Sequence, residues 1–161
     1  MNTKNRNEWR FSSQRRDTIS LHDCSISAIC ETEDGVLLEF EDGFNVTKEN
    51  PLNNTGQHRH TGPAAVLLVQ GEYIDGAYSR ECFFQGTNDQ EPVPMQEIPI
   101  EREEAYRLLP EVLDFTWESE QKLFTVDACD GSAYCRLVFS CKDVWFCWNS
   151  LPEDAWFQDW P

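Results

Sequence analysis

Four short runs near the C-terminal end constrain this chain more than any other feature: VLDFTW (112–117), KLFTVDA (122–128), YCRLVFSC (134–141) and VWFCWN (144–149). They are rich in β-branched and aromatic residues and separated by the polar links ESEQ, DGSA and KD, the pattern of an antiparallel meander. Successive strand residues point to opposite faces. Alternation therefore gathers Leu113, Phe115 and Trp117, then Phe124, Val126 and Ala128, then Cys135, Leu137, Phe139 and Cys141, then Val144, Phe146 and Trp148 on one apolar side. Links of even length keep those sets together, which fixes the register.

The same argument disposes of a conspicuous repeat. Cys129, Cys135, Cys141 and Cys147 recur every six residues. Across a hairpin with an even loop, two residues share a face only when their numbers sum to an odd value, and neither Cys129 with Cys135 nor Cys141 with Cys147 does. Cys135 and Cys141 share a face but stand about 20 Å apart along one strand. That is too far for a common zinc ion or for a disulfide. Cys135 and Cys141 read as core residues, Cys129 and Cys147 as residues of the outer face.

The N-terminal half continues in strands: CSISAIC, VLLEFE, GFNVT, AAVLLVQ, EYI and YSRECFF. Four Asp-Gly pairs, at 34–35, 42–43, 75–76 and 130–131, read as hairpin turns. Two polar stretches, 48–63 and 86–99, read as long loops. PIEREEAYRLLP, bounded by Pro99 and Pro110, predicts one short helix near 99–109. The fold class is all-β, an antiparallel sandwich or open barrel with a C-terminal four-stranded meander and one short helix.

A chain of 161 residues is expected to form one domain with a full core. Its longest apolar run, AAVLLV, is strand length and far short of a membrane span. Residues 1–17 read as a basic, partly ordered arm ahead of a single domain over 18–161. The first sixteen residues hold five of the 13 basic residues and one of the 29 acids, leaving eight against 28, a balance of −20. Such a surface repels phosphate backbones and attracts cations, which argues against nucleic acid and for a basic protein partner. Seven cysteines without an export signal point to a reducing, cytoplasmic setting in which all seven thiols stay free.

The opening LHDCSISAI, followed by DGVLLEFEDGF, resembles that of short bacterial all-β proteins with a Leu-His-Asp-x-x-Ile entry into the first strand, some of them placed among the immunity proteins of polymorphic toxin systems. The closing strand VWFCWN is similar in style. The likeness covers residues 21–46 and 144–149. It implies a cytoplasmic β protein that binds a partner, and it brings no catalytic set.

No phosphate-binding loop, nucleophile elbow or Cys-x-x-Cys is present. The chain reads as a non-enzymatic binding protein without a cofactor. The competing reading is a small metal protein or enzyme using His22, His58 and His60, of which His58 and His60 in one loop are the candidate ligands. His22-Asp23 reads rather as a turn, because neighbours on a strand diverge. For partner binding the candidates are aromatic. Trp145 falls on the face opposite Phe146 and Trp148, beside Tyr134, with Trp156 and Trp160 in a tail that would either cover this patch or contact a partner itself.

Overall fold

The computed structural model describes residues 8–80, 96–131 and 133–159. Fourteen strands and one α-helical turn run as β1 (Phe11–Ser13), β2 (Ile19–Ser20), β3 (Ala28–Thr32), β4 (Gly35–Phe40), β5 (Asn45–Val46), β6 (Arg59–His60), β7 (Ala64–Val69), β8 (Glu72–Arg80), β9 (Gln96–Pro99), α1 (Arg102–Ala105), β10 (Glu111–Glu118), β11 (Leu123–Asp130), β12 (Ala133–Ser140), β13 (Asp143–Trp148) and β14 (Glu153–Asp154). All strand pairing among the described residues is antiparallel. The first sheet has the order β1-β13-β7-β4-β3, the second β10-β11-β12-β8-β9, and a small third sheet β14-β6-β5-β2. The all-β class with one short helix holds. Pro99, expected to open that helix, ends β9, and the helix is the single turn Arg102–Ala105.

One apolar core lies between the first two sheets. Val36, Leu38, Phe40, Val66, Leu68, Val144, Phe146 and Trp148 of the first sheet meet Val112, Phe124, Val126, Ala128, Cys135, Leu137 and Phe139 of the second. Phe115 and Phe146 bring their rings within 5.5 Å across the interface. Every expected core position from Phe124 onward is buried.

Three expectations are corrected. The meander has three strands, β10-β11-β12, and the fourth, β13, joins the first sheet. The link Cys141-Lys142 is a corner between sheets: the Cys141 amide donates to the Lys122 carbonyl of the second sheet's turn, and the Lys142 amide to Val69 of the first. The apolar parity survives because both sheets face the same core. The Gln70-Gly71 link from β7 to β8 crosses between sheets as well, and a Cβ at Gly71 would stand 2.7 Å from the Leu68 carbonyl oxygen.

Leu113 is the second correction. The register of β10 on β11 slips between Val112 and Asp114, so Val112 takes the core position and Leu113 is the extra residue of a β-bulge. Third, Asp75-Gly76 is not a turn. β8 runs straight through it, because Gly76 gives room to the Tyr73 ring: a Cβ there would lie 2.2 Å from the Tyr73 hydroxyl. Gly43 and Gly131, by contrast, hold φ of 83° and 64° in true turns.

The arm is partly built into the fold. Phe11–Ser13 forms the edge strand of the first sheet against β13, and Trp9 packs on that sheet's outer face. The loop expected over 48–63 contains β6, and the one over 86–99 ends in β9, its earlier part lying outside the described residues. Six cysteines, at 24, 30, 129, 135, 141 and 147, are free thiols, and Cys82 lies outside the described residues.

Candidate partner-binding face

The outer faces of the two large sheets differ because their strands are patterned differently. In β7 the run AAVLLV is apolar on both sides, and Ala65 and Leu67, with Leu37 of β4, form a second small cluster outside the first sheet. Trp9, Cys30, Val69 and Trp145 pack on it. In β11 and β12, buried and solvent-facing residues alternate cleanly, so the second sheet has a wet outer face.

The register places residues on that face in rows. Glu111, Cys129, Tyr134, Ser79 and Glu97 form one row across five strands, and Asp114, Asp127, Arg136 and Ala77 form the next. Thr116, Thr125, Val138 and Asp75 form the third. Carboxylates thus converge on one sheet face from β8, β9, β10 and β11. Bulges at Leu113 and Ile74, where β10 and β8 slip against their neighbours, add local twist. A shallow hollow of about 500 Å3 results, lined by Asp75, Ala77, Glu97, Leu113, Asp127 and Tyr134 among others.

Arg136 contributes a positive charge here, and it is already committed. Its Nε donates to the Asp127 carboxylate at 2.8 Å. That hydrogen bond and charge, with Glu97 nearby, push the guanidinium pKa above its ordinary value. Tyr134 is 41% exposed and stands on the middle strand of the row that Glu111 and Glu97 end. The face carries an exposed aromatic ring and carboxylates in the same rows, features that receive lysine and arginine side chains through charge and cation–π attraction.

The other candidate residues lie elsewhere. Trp145 and Tyr134 are not neighbours: β13 and β12 belong to different sheets, and Trp145 sits on the covered face. The residues packed on that face's apolar cluster are Trp9, Cys30, Val69 and Trp145, and the described tail aromatics contact histidines. Trp156, 51% exposed, packs at a tilt on His22 at 6.1 Å and edge-on against Phe157 at 5.3 Å, and Phe157 lies tilted against His58 at 5.3 Å. Trp160 lies outside the described residues. Cys147, expected on the outer face, is fully buried there, because this face is a covered one.

The three histidines hold segments together. His22 Nδ1 donates to the Leu113 carbonyl at 2.7 Å, and Asp23 takes φ 62° in the turn that the sequence suggests. His58 Nδ1 accepts from the Lys48 amide at 3.1 Å, and the His58 amide donates to Gln158 of the tail. His60 contacts the Asn45 side chain at 2.8 Å and the Asp42 carbonyl through its two ring nitrogens. With these contacts made, the His60 ring nitrogens and His58 Nδ1 are engaged with protein atoms. Among the described residues, no three of His, Cys, Asp and Glu come together as a metal site would need.

Three of the described cysteines are held as thiols. Burial pushes the thiols of Cys24, Cys135 and Cys141 up to about 12, with nearby carboxylates adding to the effect, so the thiolate is suppressed. Comparison with known protein families, curated proteins and solved structures returns no match.

Proposed function

We propose that this chain is a non-enzymatic binding protein whose outer second-sheet face docks a basic protein, in the manner of an immunity-type inhibitor acting in a reducing, cytoplasmic setting. The observation that supports this is the contrast between the two outer faces. The apolar one is covered by Trp9, Cys30, Val69 and Trp145, while the other is exposed, carries Asp75, Glu97, Glu111, Asp114 and Asp127 across three rows with Tyr134 at the middle of one of them, and holds Arg136 in a pair with Asp127. A chain with net charge −16 gains steering toward a cationic partner from its long-range field, and Tyr134 would supply a buried anchor once docked.

A selection from a random peptide display library tests the reading before any partner is identified. Clones retained by the wild-type protein should be enriched in lysine and arginine. They should be lost on a variant carrying D75K, E97K and D127K, all solvent-facing changes. Retention of clones with no basic bias, or equal retention by the variant, would remove the acidic face from the account.

A further inference from the structure

The edge strand β10 bounds this face, and its geometry says more about the partner. Among the described residues the second sheet ends at β10, which pairs as a strand only with β11. Its first residues are occupied on the other side: Val112 exchanges hydrogen bonds with Asp23 and Cys24, and the Leu113 carbonyl accepts from His22. From Phe115 onward the edge changes character. The Phe115 amide donates to the carboxylate of its own neighbour Asp114 at 2.8 Å, a local satisfaction that leaves the strand edge unpaired by backbone. Phe115 and Trp117 are partly buried against the core, whereas Asp114, Thr116 and Glu118 face solvent. A groove runs along this edge, with Arg16 and Ile19 on its far wall.

We propose that this open edge accepts an extended segment of the basic partner, in which apolar residues alternate with lysine or arginine. The proposal rests on the basic-partner reading and specifies its mode. A strand added beside Phe115–Glu118 would put alternate side chains over Phe115, Trp117 and Ile19, and the others beside Asp114 and Glu118. Arg16 stands on the groove's far wall, so the cationic side chains belong on the carboxylate side, contiguous with the row Asp114-Asp127. The incoming carbonyl accepts the Phe115 N–H and so releases the Asp114 carboxylate to meet a cation. A second copy of this chain is a poor occupant, because it would set Asp114 and Glu118 against their own counterparts, and like charges directly opposite destabilise a strand pair.

The test uses capped ten-residue peptides of alternating valine and lysine, titrated into the full-length protein. Binding should be measurable, should fall about tenfold when backbone N-methyl groups are placed on alternate residues in one phase, and should survive them in the other phase, since only one phase points its amides at β10. Glu118→Lys, an exposed and structurally mild change, should weaken binding, as should a scrambled peptide of equal composition. If both N-methyl phases bind alike, or the scrambled peptide binds equally, strand addition is overturned. The acidic face would still stand if D75K/E97K/D127K abolished that binding. If the alternating peptide does not bind at all, strand addition is likewise overturned, and the basic-partner reading is judged by the display selection alone.

Discussion

The two large sheets present outer faces of opposite kinds. Outside the first, Leu37, Ala65 and Leu67 are sealed under Trp9 and Trp145; outside the second, Asp75, Glu97, Asp127, Arg136 and Tyr134 meet water. The difference originates in strand composition. β7 is apolar at every position and must be buried on both sides, while β11 and β12 alternate and need burial on one. An edge strand and its preceding tryptophan are therefore structural parts of the first sheet, and the second sheet is left free for contact.

Charge insertion should break this contrast most sharply. Leu67→Lys, at a position 3% exposed, should destabilise the protein by about 3 kcal/mol or more, whereas Thr125→Lys on the open face should change stability by about 0.5 kcal/mol or less. Urea midpoints of the two variants decide it; equal midpoints would mean that the first sheet's outer face is not sealed.

Alkaline titration probes the core that both sheets share. Cys24, Cys135 and Cys141 are raised to about 12 chiefly by burial, and Tyr73 and Tyr78 likewise. In the unfolded chain these groups deprotonate near their ordinary values, so between about pH 9 and pH 12 the unfolded state binds fewer protons than the native one. Stability is thus fully present below pH 9 and falls as pH rises through that window. A urea midpoint at about pH 10.5 below that at about pH 8 is expected, with a shallower fall in a variant in which Cys135 and Cys141 are replaced by alanine.

Removing the cover is a smaller perturbation. Trp9→Ala should cost about 2 kcal/mol through apolar burial lost over Leu37, Ala65 and Leu67, with an unchanged urea m-value. Smallest of all is Asp127→Asn. The Asp127–Arg136 pair is largely solvent-exposed, so its loss should shift stability by about 0.5 kcal/mol or less. A large loss there would show that the open face is a structural network rather than a contact surface.

Alternation along 112–148 locates the core because the period-2 pattern depends only on which side is apolar. It does not assign each strand to a sheet. KD reads equally as a tight hairpin or as a corner, and the Cys141 and Lys142 amides, paired to different sheets, decide for the corner. Asp75-Gly76 carries a turn signal that tertiary packing overrides, since the glycine serves the Tyr73 ring. Tyr134 is legible as an outward aromatic, yet the acids that share its face are not. Asp75, Glu97 and Asp127 are three acids among 29, brought together by pairings between strands distant in the chain. The tail's attachment to His22 and His58 likewise depends on contacts between segments distant in the chain that no local pattern announces.

The central claim, that the open sheet face is the contact surface, is tested most directly by mapping backbone amide chemical shifts while a lysine-rich clone from the display selection is titrated in. Perturbations are expected to centre on Ser79, Asp127, Tyr134 and Arg136 and to extend along Asp114–Glu118, with Leu37, Ala65 and Leu67 unmoved. Perturbations centred on the first sheet or on the Trp156 tail, with the second sheet silent, would contradict it.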